Sequence, residues 1–520
     1  MGVRMVWQRA AGAEAPSLLW PGGLEPGQEG VPACFPDLHL DELEGLFLAP
    51  HRGWGLEAYF RKPLALGEEV AYRQRVAQEL EEPAGAAPLR AYLRAMEKVH
   101  ALLGLAEKAR NPWQKALYHL QGAQAYLEAV EALGRAWAMA PPRSFGLRGY
   151  AAYLESYLRG PGFRELREEA RENLGRLAGV RYVLHVHEGR LTLRAYRGEA
   201  DYGKRVVEAF RPFLGPALAH LGGPEPPQGP WLNHVEEWLL DHLALLFPEA
   251  FAQLRAFHEE HQDFPDPVLG RLEREARFLL AYLDFIAPLR AAGLPFTYPE
   301  PAQGPPFFVQ EAFDLVLAAK LVAEGKRPVP NGFRLDRERI LVVTGPNQGG
   351  KTTFARMVGQ LHHLFALGFP VPGKRARLPV PDRILTHFEA RENPEDLRSK
   401  LESDLLRLKE MLDLATARSL LLLNEPLASA ALEDARFIGR FLVERIQEKG
   451  SLAVLVTFLD ELARLPGTKS LVAEVDPQDP ARRTFRVVER PADGKAYALA
   501  LAAKHGLTYE ALKERLRRRL

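Results

Sequence analysis

Eight consecutive residues, Gly345-Pro346-Asn347-Gln348-Gly349-Gly350-Lys351-Thr352, carry the plainest chemistry in the sequence. Glycines let backbone N–H groups turn inward around phosphate oxygens, a lysine sets a point charge against the outer phosphates, and a threonine hydroxyl can face Mg²⁺. The spacing is G-x-x-x-x-G-K-[ST], and Thr353 extends it. A phosphate loop needs a strand before it and a helix after it. The apolar run "RILVVT" predicts the strand and "TFARMVGQLHHLFALG" predicts the helix. A Gly-rich turn that happens to contain Lys-Thr would explain few of these positions.

A second strand must bring groups for the metal and the attacking water. "SLLLLNE" is an apolar run with a polar end, the pattern of an interior parallel strand. Glu425 is the candidate general base or water-orienting residue, and Asn424 stands where an acid would hold Mg²⁺. Replacing an acid by an amide removes one negative charge near the metal, worth about 4 kcal/mol at about 4 Å in an effective dielectric near 20. An amide oxygen can still accept from a metal-bound water. The expectation is ATP binding with slowed hydrolysis, with Thr352 and Asn424 at the metal. The plain alternative is a strand-end turn without chemistry.

The elements around these residues suggest several domains, since 520 residues can supply about three to four units with their own cores. Hydrophobic residues make up 47% and charged residues 26%, a globular composition, with no apolar run long enough to cross a bilayer. The N-terminal stretch lacks a continuous apolar segment of the signal-peptide kind, and the single cysteine, Cys34, excludes an internal disulfide framework. A cytoplasmic protein without a membrane partner is expected. The net charge of +1 excludes nucleic-acid binding by a global field and leaves local basic patches.

Residues 1–36 read as a flexible leader, and residues 37–221 as a helical domain with a β-hairpin near 180–197. Long lever or connector helices follow over 222–305, and the α/β domain occupies 306–520. In "VRYVLHVHEGRLTLRAYRG" the period changes from helical to alternating. Leu191, Leu193 and Ala195 fall on one parity, and Arg190, Thr192 and Arg194 on the other. With Arg181 across the turn, Arg190 and Arg194 form a basic ribbon that could track DNA phosphates. The other reading is the solvated face of a half-buried hairpin.

Several motifs together resemble the MutS family of DNA mismatch-repair ATPases. "TGPNQGGKTT" is similar to that family's T-G-P-N-M-x-G-K-S-T, and "LKEMLDLATARSLLLLNE" follows its helix, Ala-Thr, Ser-Leu and acidic strand end in order. "RPVPNGFRL", "VTFLDELARLPG" and "ADGKAYALALAAKHGLTYEALKERL" resemble further family elements, so the likeness covers roughly residues 327 to 514. It implies that Gly345 to Thr353 cradle ATP with Mg²⁺, that Glu425 sits at the hydrolytic water, and that Ser399 reaches the nucleotide of a partner subunit. Asp404 and Asp434 fall at the acids of the same segments. The implied assembly is a homodimer with composite ATP sites, whose lever helices transmit the nucleotide state to clamps around DNA.

The expected fold is therefore multidomain: a helical lever and core region with a small hairpin clamp, then an α/β P-loop ATPase domain of ABC type. The expected function is a slowly hydrolysing, nucleotide-gated DNA clamp in repair or recombination. Two other readings stay open, a nucleotide-gated scaffold on RNA or ribosomes and a relative that binds ATP without hydrolysing it. The sequence departs from the family where "LASAAL" puts Ala430 and Ala431 for hydroxyls, where Phe458 replaces a histidine, and where Pro328 stands near an expected aromatic. No mismatch-reading domain is recognisable, since Phe163-Arg164-Glu165 opens a helical segment, and no Smr-type nuclease extension is expected.

Overall fold

The computed structural model describes residues 16–22, 30–188, 190–199, 232–388, 400–476 and 483–492. The chain is rich in helix, carries mixed sheets, and falls into two compact units that interleave in sequence. One comprises Met1–Pro16, Glu82–Arg143 and Leu147–Glu273; the other comprises Ser17–Glu81, Ser144–Gly146 and Arg274–Leu520. The segments that the sequence lays end to end are thus not the units that pack, because residues 37–81 belong with the C-terminal half.

Proline starts the two longest helices of the first unit, Pro83–Lys108 and Pro112–Met139, where its missing N–H costs nothing. Asn111 caps the second of them, its Oδ1 accepting from Trp113 N at 2.9 Å and Gln114 N at 3.2 Å. The expected lever or connector region 222–305 holds the helices His234–Leu246, Pro248–Glu260 and Pro267–Ala291, the first two broken apart at Phe247-Pro248. Pro248 cannot donate to the preceding turn, and Phe247 leaves helical geometry at φ −125°, ψ 56°.

The hairpin of this unit is β1 (Tyr182–His187) and β2 (Arg190–Ala195), antiparallel, with Leu184 opposite Leu193 and His187 opposite Arg190. Glu188 turns the chain at φ 47°. Parity follows the alternation in the sequence. On β1 Tyr182 and Leu184 are exposed at 42% and 40%, while on β2 Leu191, Leu193 and Ala195 are half-buried and alternate with exposed Arg190, Thr192 and Arg194, the half-buried pattern of one reading.

The second unit holds β3 (Phe296–Thr297), β4 (Glu300–Pro301), β5 (Phe307–Ala312), β6 (Asn331–Leu335), β7 (Ile340–Thr344) and β8 (Val371–Pro372). After them come β9 (Arg375–Leu378), β10 (Ile384–His387), β11 (Leu420–Asn424), β12 (Leu452–Val456), β13 (Thr468–Val475) and β14 (Arg483–Glu489). The main sheet has the order β10-β11-β12-β7-β13-β14, parallel except for β14, and a smaller sheet has the order β4-β9-β5-β6. Every residue of β7 and β12 is buried, which is why both read as unbroken apolar runs. Alternation in β11 feeds both faces. Leu421 and Leu423 join a core with Leu442, Val443 and Ile446 of the helix Leu432–Lys449. Leu422 packs toward Gly359 of the helix Lys351–Ala366, where a Cβ would meet its Cδ1 at 2.7 Å.

Part of the expected leader is core. Leu18 and Leu19 are fully buried, and Glu275 fixes them by accepting from Ser17 Oγ at 2.5 Å and Leu18 N at 2.6 Å. Gly and Pro density signalled a loose segment, but a buried carboxylate far along the chain supplies its missing partners.

Candidate functional site

The loop 345–350 joins the carboxyl end of β7 to the helix Lys351–Ala366, the end of a parallel sheet where ligands bind in open α/β folds. Gly345 is forced by both conformation and crowding: its φ is 114°, and a Cβ would lie 2.9 Å from Ala473 O of β13. Gly350 opens the helix at φ 93°, and no side chain caps the first turn. Uncapped N–H groups at the positive end of a helix dipole are suited to an anion.

Lys351 is 5% exposed, and its Nζ donates to Gly345 O at 3.0 Å, Pro346 O at 3.3 Å and Asn347 Oδ1 at 3.1 Å. Glu425 Oε1 lies 3.6 Å away. Burial holds the ammonium below its ordinary pKa; Glu425 opposes that shift and the Arg483 charge adds to it. An arriving anion must therefore exchange with oxygens that already occupy the ammonium. Thr352 Oγ1 donates to Asn424 Oδ1 at 2.9 Å, joining the start of the helix to the end of β11. Since the hydroxyl proton is committed to the amide, both hydroxyl lone pairs can face a cation. Glu425 follows β11 at φ 50°, with its N–H on Val456 O at 2.9 Å, so its direction is set by the neighbouring strand end.

These groups share a cavity of about 650 Å³ lined by Asn347, Gln348, Gly350, Lys351, Thr352, Thr353, Asn424 and Glu425. Gly345, Pro346 and Gly349 of the loop are not in its wall. The rest of the lining, Leu317, Leu321, Lys326, Arg327, Val329, Asn331 and Phe485, was not singled out from the sequence, although Asn331 lies within "RPVPNGFRL". A single apolar helix, Leu315–Ala323, and residues from distant strands give no local signal for a shared wall. Three lysine or arginine side chains, Lys326, Arg327 and Lys351, face one carboxylate, Glu425, so the lining favours an anion.

Of the other expected site residues, Ser399 lies outside the described residues. Asp404 accepts from Ser429 Oγ at 2.9 Å, linking the helix Lys400–Leu414 to the loop after β11. Asp434 lies in the first turn of the helix Leu432–Lys449. Phe458, in the place of an expected histidine, is 47% exposed. Arg181, Arg190 and Arg194 are exposed on the hairpin of the first unit.

The family described as MutS domain V matches residues 341–515. The chain is 27% identical over 274 residues to the DNA mismatch repair protein MutS of Aquifex pyrophilus, covering 49% of this chain and 31% of that protein. It is 30% identical over 189 residues to the endonuclease MutS2 of Thermus thermophilus, covering 36% of this chain and 25% of that protein. Against the DNA mismatch repair protein MutS of Carboxydothermus hydrogenoformans it is 28% identical over 306 residues, covering 54% and 34% respectively. The chain thus spans about a third or less of the length of these relatives.

Proposed function

The chain belongs to the MutS family, and from that premise we propose that it is a nucleotide-gated ATPase of DNA repair or recombination, a homodimeric clamp with composite ATP sites and slow turnover. The observation that carries the reading is the meeting of Lys351, Thr352, Asn424 and Glu425 at one cavity beside a Gly-rich loop and an uncapped helix start. In this reading the loop and Lys351 hold the phosphates of ATP, and Glu425 orients the attacking water.

The donor set at the proposed metal position is a hydroxyl and an amide oxygen, hard ligands of the kind Mg²⁺ takes together with waters and phosphate oxygens. Bound there, Mg²⁺ would neutralise charge on the outer phosphates. Asn424 orients the Thr352 hydroxyl as an acceptor but adds no negative charge, so the metal is held less firmly than by a carboxylate and hydrolysis is slow. The exposed arginines of the hairpin are the proposed DNA contact.

The test is a binding panel of homoduplex, mismatched, branched and single-stranded DNA and structured RNA at fixed salt, with and without ATP and Mg²⁺. Structure-dependent DNA binding that changes with ATP is expected. Absence of DNA binding in both nucleotide states, or binding of RNA alone, sinks the DNA part of the reading. Phosphate release that persists unchanged in Lys351→Ala sinks the ATPase part.

A further inference from the structure

Away from the nucleotide cavity, the first unit brings together two carboxylates and an imidazole from two of its helices. Glu169 stands in the middle of the helix Pro161–Ala178, while Glu260 and His261 close the helix Pro248–Glu260. His261 Nε2 lies 2.9 Å from Glu169 Oε2, and one ligand atom from each of the three residues lies within 4.8 Å of the others. Glu169 and His261 are half-buried, and Glu260 is exposed. Among the described residues neither carboxylate pairs with a lysine or arginine, so two negative charges face a single imidazole. The end of the helix Pro248–Glu260 adds the negative pole of its dipole. Two further imidazoles border the cluster. His258, three residues before His261, meets His119 of the helix Pro112–Met139 with ring centroids 4.6 Å apart. Burial lowers both pKa values, that of His119 to about 4; the charge of His258 adds to this at His119, and the charge of Lys115 adds to it at His258. Both rings are therefore neutral at pH 7 and set no charge against an incoming cation.

We propose that Glu169, Glu260 and His261 form a site for a divalent transition-metal ion, with Zn²⁺ as its expected occupant. Carboxylate oxygens with an imidazole nitrogen and no thiolate suit Zn²⁺ and, less tightly, Mn²⁺, whereas Mg²⁺ and Ca²⁺ take oxygen ligands. Ligand atoms about 2.0 to 2.1 Å from a tetrahedral ion stand about 3.3 Å from one another. Glu169 and His261 are already close to that spacing, and the exposed, unpaired Glu260 has to close from no more than 4.8 Å. Three protein ligands leave one position of the ion for water. A plain ion pair needs only Glu169 and His261, so Glu260 is the residue that separates a metal site from such a pair. The ion ties the end of the helix Pro248–Glu260 to the helix Pro161–Ala178, which leads through residues 179–181 into β1 of the hairpin. The site is independent of the nucleotide reading.

The experiment titrates Zn²⁺, Mn²⁺ and Mg²⁺ by calorimetry into the metal-stripped full chain without nucleotide, and follows the melting temperature with and without each ion. The variants are Glu260→Gln, Glu169→Gln and His261→Asn, with the double variant His185→Gln, His187→Gln as a control for the exposed hairpin imidazoles. The tightest-bound Zn²⁺ is expected to raise the melting temperature by about 5 °C or more at a hundredfold excess over Kd, and Mg²⁺ at the same concentration to leave it unchanged. Each of the three ligand variants is expected to lose at least about tenfold in Zn²⁺ affinity, and the hairpin variant to lose none. Glu260→Gln leaves the Glu169–His261 pair in place, so its metal-free melting temperature should equal that of the parent and its loss of affinity reads the ion alone. Should Glu169→Gln or His261→Asn melt early without metal, Glu260→Gln decides. Unchanged Zn²⁺ affinity in Glu260→Gln, no saturable Zn²⁺ binding by the parent, or loss of the tightest-bound Zn²⁺ in the hairpin variant overturns the proposal.

Discussion

The carboxyl end of the main sheet and the tip of the β1–β2 hairpin are both basic, yet they hold their cations in opposite ways. Lys351 is almost fully buried and surrounded by three oxygen acceptors, with a carboxylate at 3.6 Å. Arg190 and Arg194 lie along an exposed ribbon, on one parity of β2 with Thr192 between them. The first arrangement converges on a volume the size of a small ligand. The second presents a line of charge that suits a polymer, and it discriminates little by itself. Cationic residue type is therefore a weak signal, and the geometry of convergence separates a pocket from a surface.

The largest effect that could break this contrast is at Lys351. Lys351→Ala should reduce ATP affinity about a hundredfold or more, since a hydrogen-bonded charge is removed from a desolvated site. Glu425→Gln should leave ATP binding nearly unchanged and cut turnover about a hundredfold, the usual scale for loss of a general base. Calorimetry and phosphate release check the pair. If both variants lose binding and turnover together, the division of roles between holding phosphate and directing water is wrong.

Next is the hairpin. Reversing Arg181, Arg190 and Arg194 to glutamate should weaken DNA binding about tenfold or more and reduce the salt slope by about one for each phosphate that is no longer neutralised. ATP binding in the absence of DNA should not change. DNA affinity equal to that of the parent across a salt titration would remove the ribbon from the DNA reading. A smaller effect is expected for Asn424→Asp, in which turnover at saturating Mg²⁺ should rise by about tenfold or less as the metal is held more firmly. No rise in steady-state turnover would show that the amide at 424 does not limit hydrolysis.

The smallest effect separates the two regions by acid. His362 and His363, in the helix that starts at the Gly-rich loop, are buried, and burial pushes each pKa down from 6.5 to about 4. They are neutral in the folded chain, while the unfolded chain takes up protons below its ordinary histidine pKa. Their stability contribution is thus intact above pH 6.5 and lost as pH falls toward 4, on the order of 1 to 3 kcal/mol per histidine. The hairpin histidines His185 and His187 are exposed. Melting temperature should fall across that window, and His362→Leu should flatten the fall at the cost of the Nδ1 bond to Val358 O at 2.9 Å, Nε2 having no partner among the described residues. An unchanged pH dependence in that variant would show that this helix is not the acid-sensitive element.

The readable parts of the fold are those in which side-chain type and local spacing are coupled by backbone geometry. The fully buried β7 appeared as "ILVVT", and the hairpin register followed from strict alternation around Glu188-Gly189. The break at Pro248 was also present in the sequence, but a strong apolar period on both sides hid it. Leu18 and Leu19 gave no comparable signal, because what makes them core is Glu275, more than two hundred and fifty positions away. The same holds for Phe485 and Arg483, which reach the cavity and the loop only after β14 pairs with β13 and Asn331 locks it.

The sequence by itself determined the Gly-rich loop with its lysine and threonine, the amide-glutamate strand end, and the alternation of the basic ribbon. Each is a local pattern whose chemistry depends on residues a few positions apart. Only the tertiary structure decided that Thr352 bonds Asn424, that Glu425 faces Lys351, and that Lys326, Arg327 and Phe485 share their cavity. Those contacts join residues separated by tens to more than a hundred positions. Their distances are fixed by strand order and helix packing, which no local spacing encodes.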